Sequence, residues 1–249
     1  MPPADPRALA GRNRVLAALP QADAERLLAR LAPVTLSLRQ QLLQPGEPIQ
    51  TVYFPLTCVC SLVITVEGGG TIEVATVGNE GLVGLPVFLG SASSPGAAFC
   101  QVAGQALRLS AEALREETRG GGPLHDVLLR YSQGLVNQIA QSAACARLHT
   151  IDQRCARWLL MVQDRVGAER FPLTQQFLAQ MLGVRRAGVS AAAGILARAG
   201  CIRYARGVIT VLDRAGLEAA ACACYRVVQD EFDRLLGSAG QAQRPTSAR

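Results

Sequence analysis

Apolar positions change period several times along the chain. Residues 14–31 (RVLAALPQADAERLLARL) read as short helical segments around Pro20, with Leu27, Leu28 and Leu31 on one face. From Val34 to Leu109 the pattern becomes a series of short β-branched and aliphatic runs: VTLSL, QTVYF, CVCSLVITV, TIEVATV and AAFCQVAGQALRL. Pro45-Gly46, Gly68-Gly69-Gly70, Gly78-Asn79 and Ser94-Pro95-Gly96 separate them. Many short strands with turns at this spacing predict an antiparallel roll or barrel. Gly120-Gly121-Gly122 then breaks the chain, Pro123 suits a first helical position, and a long helix is predicted to about Leu148. In it Leu124, Leu128, Tyr131 and Leu135 recur at spacings of 4, 3 and 4. That is the pattern of a helix pairing with another helix, so these four are the dimerisation candidates; packing against the roll is the other use of such a face.

The helical period returns after His149. Asp152 is the expected cap of a helix through Val166 that buries Ala156, Leu159, Leu160 and Val162, and Gly167 closes it. Thr174 can cap a short helix from Gln175 to about Met181. Leu182-Gly183-Val184 is a tight turn in which Gly183 can take the left-handed conformation that stops a helix. A second helix is predicted from Arg185 to about Ala199, with Val189, Ala192, Ala193 and Leu196 on its inner face. Arg186 and Ser190 lie on its outer face, beside Arg185, Ala187, Ala191 and Gly194. Two short helices, a glycine turn and a basic outer face make a helix-turn-helix. The small side chains of the second helix suit a major groove about 12 Å wide. Ile202-Arg203-Tyr204 and Val208-Ile209-Thr210-Val211 form two short strands around Ala205-Arg206-Gly207, a wing. Asp213 caps one last helix containing Leu217, Cys222, Cys224, Tyr225 and Phe232, and the tail beyond Gly237 is expected to be disordered.

Charge sharpens this picture. The chain has 249 residues and a net charge of +6, and every basic residue is arginine. Residues 1–149 carry 11 Arg against 11 Asp and Glu; residues 150–249 carry 14 against 8 and hold the whole excess. Phe171 to Leu212 has no acidic residue and five arginines, Arg185, Arg186, Arg198, Arg203 and Arg206. Such a stretch fits a polyanion, because arginines on phosphates release condensed counterions.

The remaining chemistry is sparse. No signal segment opens the sequence, and its charge-free runs are broken by Pro, Gly or β-branched residues, so a cytoplasmic protein without a membrane partner is expected. Eight cysteines include no Cys-x-x-Cys pair and only two histidines, His125 and His149, accompany them. A zinc or iron–sulfur framework is therefore weakly supported, and neither metal nor cofactor is assigned. Cys58 and Cys60 share a face on a strand, whereas Cys222 and Cys224 on a helix would lie about 200° apart. Gly78-Asn79-Glu80-Gly81-Leu82-Val83-Gly84 is neither a phosphate loop nor a dinucleotide fingerprint, and its glycines read as turn formers. Paired carboxylates and nucleophile–base sets are missing, so an enzyme is not expected.

The run LTQQFLAQMLGVRRAGVSAAAGILARAGCIRYARGVITVLDRAGLE resembles the winged helix-turn-helix of the Crp/Fnr family of bacterial regulators. The order roll, glycine break, long helix, basic winged helix resembles that family across most of the chain. The implied fold class is α+β: a β-roll with short N-terminal helices (1–122), a long dimerisation helix (123–150), a winged helix-turn-helix (151–237) and a tail (238–249). The resemblance implies a transcription regulator: a homodimer on near-palindromic double-stranded DNA, with RNA polymerase as partner and a signal-sensing roll whose small-molecule effector is unassigned. Arg186 falls where the cyclic-AMP receptor group carries an arginine that reads guanine, and Ser190 where the oxygen-sensing group has a base-contacting serine. Ala187 and Ala191 replace the Glu and Arg often found there, so specificity is expected to differ. Thr174, Gln175, Arg185 and Arg206 are expected at phosphates, which position without specifying. Cyclic-nucleotide binders of this fold clamp the phosphate with a Gly-Glu dipeptide and a following Arg. Here Gly84-Leu85-Pro86-Val87-Phe88-Leu89-Gly90 and Ser94-Pro95-Gly96-Ala97-Ala98 hold neither charge, so cyclic AMP is not expected to bind. The alternative is a cysteine-based redox or metal sensor, through Cys58 and Cys60 or Cys222 and Cys224, whose signal controls DNA binding.

Overall fold

A computed structural model describes residues 9–68 and 70–237. Two short helices, α1 (Arg14–Ala17) and α2 (Gln21–Leu28), precede the roll. Asn13 caps α1 and ties it to the roll, its amide donating to the carbonyls of Pro55 at 2.9 Å and Gly81 at 2.8 Å. The roll strands are β1 (Ala32–Leu36), β2 (Gln41–Leu43), β3 (Thr51–Pro55), β4 (Val59–Thr65), β5 (Thr71–Val77), β6 (Ala97–Val102) and β7 (Gly104–Ser110). They make two antiparallel sheets, β1-β7-β3 and β2-β6-β4-β5. The single apolar run at residues 97–109 divides at Ala103 into β6 and β7, and β2 lies in a stretch too polar to have been read as a strand. A four-residue helix, α3 (Leu85–Phe88), and α4 (Ala111–Thr118) complete this part.

The long helix, α5 (Pro123–Leu148), runs over the expected span. Leu124, Leu128, Tyr131 and Leu135 are all buried inside the chain, between the roll and the C-terminal helix α10 (Cys224–Leu236). Tyr131 donates to the Leu82 carbonyl at 3.2 Å, and its ring stacks on Phe232 with centroids 6.3 Å apart. Intramolecular packing thus takes the face that was assigned to pairing. The large apolar residues α5 leaves exposed are Leu129, Val136, Ile139 and Leu148, at 49, 58, 37 and 76 %.

Thr150, not Asp152, caps α6 (Ile151–Val166), in a reciprocal box with Gln153; Asp152 sits in the first turn. The last helix is two: α9 (Arg214–Ala220), capped by Asp213, and α10, separated by Ala221–Ala223. The expected tail, 238–249, lies outside the described residues.

Roll and C-terminal part share one core. Val59, Val63 and Val102 of the roll pack with Trp158, Phe171, Leu178 and Met181. A buried ion pair also joins the two parts: Glu80 and Arg165, each 7 % exposed at the side chain, meet at 2.7 Å. The Arg165 guanidinium also donates to the Met161 carbonyl at 2.9 Å and to Gln138 Oε1 at 3.0 Å, so most of its N–H groups have an acceptor at hand. Burial works against the Arg165 charge, and the Glu80 carboxylate outweighs it. Gly78 and Gly81 bracket a turn, the Gly81 amide donating to the Gly78 carbonyl at 3.1 Å, and both have a second role. A Cβ on Gly78 would lie 2.4 Å from the Arg165 side chain, and one on Gly81 would lie 2.1 Å from the Tyr131 ring. Both glycines serve close approach. A cavity of about 90 Å³ lies beside this seam, lined by Glu73, Gln138, Arg157 and Trp158 among others. Among the described residues no helix is long and apolar enough to cross a membrane.

Candidate nucleic-acid interface

Helix α7 (Gln175–Leu182) starts at Thr174, whose hydroxyl accepts the Phe177 amide at 3.1 Å. Gly183 ends it at φ 63°, a left-handed conformation that side chains resist. A Cβ there would also lie 2.7 Å from Ile72 of β5, so this turn rests directly on the roll. The next helix, α8 (Arg186–Arg198), has Arg185 as its extended cap residue, one position later than the sequence suggests.

The two faces of α8 separate as its period dictates. Val189, Ala192, Ala193 and Leu196 are buried, whereas Arg185, Arg186, Ala187, Ser190 and Ala191 are exposed. The Ser190 hydroxyl lies 2.6 Å from Gln175 Oε1 and 3.1 Å from the Arg186 carbonyl. Gln175, Arg186 and Ser190 therefore form one contiguous surface across both helices. Thr174 is committed to its capping bond but stays exposed at the edge of that surface.

The wing strands are β9 (Ile202–Ala205) and β10 (Val208–Val211), with Arg206 exposed at the tip at φ 50°. A third strand, β8 (Arg170–Pro172), pairs with the other edge of β10. Thr210 lies opposite both Arg170 and Arg203, so two exposed arginines flank it on one face of this small sheet. The sequence reading missed Arg170. An arginine two residues before the Pro172-Leu173-Thr174 entry to α7 was the available signal.

Residues 153–220 match the family model of the Crp-like helix-turn-helix domain. The C-terminal unit is a Crp-like helix-turn-helix domain. Solved structures extend the likeness in fold beyond this Crp-like domain. FixK2 from Bradyrhizobium japonicum matches with a TM-score of 0.66 at 17 % identity, over 78 % of this chain and 98 % of its own. TTHB099, a transcriptional regulator of the CRP family from Thermus thermophilus, gives 0.59 at 20 % identity over 76 % and 96 %. CLP, a c-di-GMP responsive global regulator from Xanthomonas campestris, gives 0.59 at 16 % over 78 % and 100 %. No curated protein sequence matches the chain. The roll and long helix thus share their fold with these solved structures, and residues 153–220 match the Crp-like domain.

The cysteines fall into distinct settings. Cys60 faces Cys100 across β4 and β6, with Cys58 alongside. Contact with Cys100 together with burial pushes the Cys58 thiol up to about 12, and Cys60 is raised as well, so both hold their protons. Cys222 and Cys224 do not follow helical geometry, because α10 begins only at Cys224. Both turn toward the end of α5. There Cys145 Sγ lies 3.4 Å from Cys222 Sγ, and His149 Nδ1 lies 3.5 Å from Cys224 Sγ.

Proposed function

We propose that the chain is a sequence-specific DNA-binding transcription regulator of Crp/Fnr type. The observation that carries this is the exposed outer face of α8, where Arg186 stands unobstructed between small side chains. Arg186 reads a base edge, where arginine bonds guanine through two donors. Ser190 and Gln175 border it, and Arg185, Arg206 and Thr174 hold phosphates. Regulators of this geometry work as two-fold dimers on two half-sites. The pairing seam that fits is Leu129, Ser132, Val136, Ile139, Ala143 and Ala146, a 3-4 repeat on a face of α5 beside the buried one. The division into 1–122, 123–150 and 151–237 serves as the working map, and the core shared by roll and Crp-like domain is the path by which a signal in one reaches the other.

Affinity for duplex DNA against salt tests this reading. Arg185 and Arg206 from two protomers give about four phosphate contacts and a log–log slope of about −4. An affinity indifferent to salt would refute it. The effector is not cyclic AMP. A signal read by cysteine chemistry is favoured by one observation, the thiols gathered where α5 meets α6; DNA affinity of oxidised and reduced protein then differs, and identical curves would exclude it.

A further inference from the structure

Four groups with metal-ligand chemistry meet at the C-terminal end of α5. Cys145 lies on its last turn and His149 is the extended residue that ends it, four residues on; Cys222 precedes α10 and Cys224 opens it. Their four ligand atoms all lie within 4.8 Å of one another. A tetrahedral zinc ion, with bonds of about 2.3 Å to sulfur and about 2.0 Å to nitrogen, separates its ligands by about 3.8 Å (S to S) and about 3.5 Å (S to N). The observed 3.4 Å between Cys145 and Cys222 and 3.5 Å between His149 and Cys224 are close to those edges.

Two further observations set this group apart from ordinary core cysteines. Cys145, Cys222 and Cys224 form a buried cluster of their own, with no aliphatic side chain in it and detached from both large cores. The Gln141 side chain directs an N–H at Cys224 Sγ from 3.0 Å. Such a donor stabilises a ligating thiolate and orients it.

We propose that Cys145, His149, Cys222 and Cys224 form a closed metal site for zinc(II). Three thiolates and an imidazole select zinc over magnesium and calcium, which take oxygen ligands. The ion fastens the start of α10 to the end of α5, across 77 residues of sequence. A disulfide between Cys145 and Cys222 would use only two of the four groups and leave His149 and Cys224 unexplained. The proposal names the ligand for the cysteine-based reading above, and it does not need the DNA-binding reading, because ion binding is measured without DNA.

The test uses the full-length chain, purified under reductant and stripped with a chelator. Zinc is titrated against a chromophoric competitor, and cobalt(II) replaces it as a spectroscopic probe. The expected result is one ion per chain, with the visible d–d bands and sulfur charge-transfer absorption of tetrahedral cobalt. Cys145→Ser and Cys222→Ser weaken binding by about 100-fold or more, and Gln141→Ala by about 10-fold. His149→Cys keeps the site as a four-thiolate centre, and Cys201→Ala, buried in the helix-turn-helix core, leaves it unchanged. Far-UV circular dichroism confirms that each variant is folded. Failure to bind zinc stoichiometrically, six-coordinate cobalt spectra, undiminished binding in folded Cys145→Ser, or a Cys145–Cys222 disulfide whose reduction yields no ion site would each overturn the proposal.

Discussion

Removing the Glu80 carboxylate tests how the roll is held to the Crp-like domain. Glu80 accepts from Arg165 Nη2 at 2.7 Å, and its two oxygens share the Arg165 Nε–H at 2.9 and 3.0 Å and the Gly78 amide at 3.2 Å. In Glu80→Ala the guanidinium stays buried with only Met161 and Gln138 to accept from it. An uncompensated buried charge costs about 3–5 kcal/mol. With a urea dependence of about 2–3 kcal/mol per molar, the midpoint falls by about 1–2.5 M. The reporter is built in: Trp158, the sole tryptophan, donates to Glu73 across the same interface at 2.8 Å. Its fluorescence follows undocking, while circular dichroism follows the helices. In Glu80→Ala the Trp158 transition should precede the loss of helix. The pair Glu80→Leu with Arg165→Met should cost clearly less than the two single changes added, because no lone charge remains buried. A midpoint shift below about 0.3 M, or strict additivity of the pair, would refute the idea that this ion pair locks the two parts together.

Three further outcomes are expected. The carboxyl of Glu73 is buried, which raises its pKa from 4.5 to about 7 against the opposing bond from Trp158. The folded chain then holds a proton that the unfolded chain releases, so stability is full below about pH 4.5 and falls by about 3 kcal/mol as pH rises through 7. Glu73→Gln should gain on the wild type progressively between pH 5 and 8 in urea denaturation, and a pH-independent difference would contradict the assignment. Val136→Glu, on the exposed seam of α5, should shift sedimentation from dimer to monomer, whereas a dimer that persists would place the contact elsewhere. Calorimetry with cyclic AMP should show no micromolar binding, because Gly84 to Ala98 contain no charged side chain for its phosphate.

What could be read from the sequence was local. The helix-turn-helix was legible because its parts are neighbours: the Thr174 cap, the Gly183 stop, the inner face of α8 and the wing all lie within forty residues. The long helix was legible in extent but not in partner. Leu124, Leu128, Tyr131 and Leu135 give a repeat that any facing helix satisfies, and α10, a hundred residues later, supplied that helix from the same chain. Glu80 and Arg165 were invisible as a pair, since charged residues 85 apart in sequence carry no periodic signal. The thiol cluster failed for a related reason. Cys145 and His149 at i and i+4, and Cys222-x-Cys224, are each present but lack Cys-x-x-Cys spacing, and only the fold of α10 back onto α5 brings them together. Gly78 and Gly81 were legible as turn glycines, but the Arg165 and Tyr131 side chains that occupy their missing Cβ space lie far off in sequence and gave no signal.

The central claim, that the outer face of α8 reads DNA sequence, is tested most directly by recovering duplexes bound by the full chain from a random pool. The account predicts a near-palindromic site whose two half-sites each hold an invariant guanine, and a preference for that guanine lost in Arg186→Ala at a cost of about 1–3 kcal/mol per half-site. Recovery of no common sequence, or of the same sequence by wild type and Arg186→Ala, would contradict it.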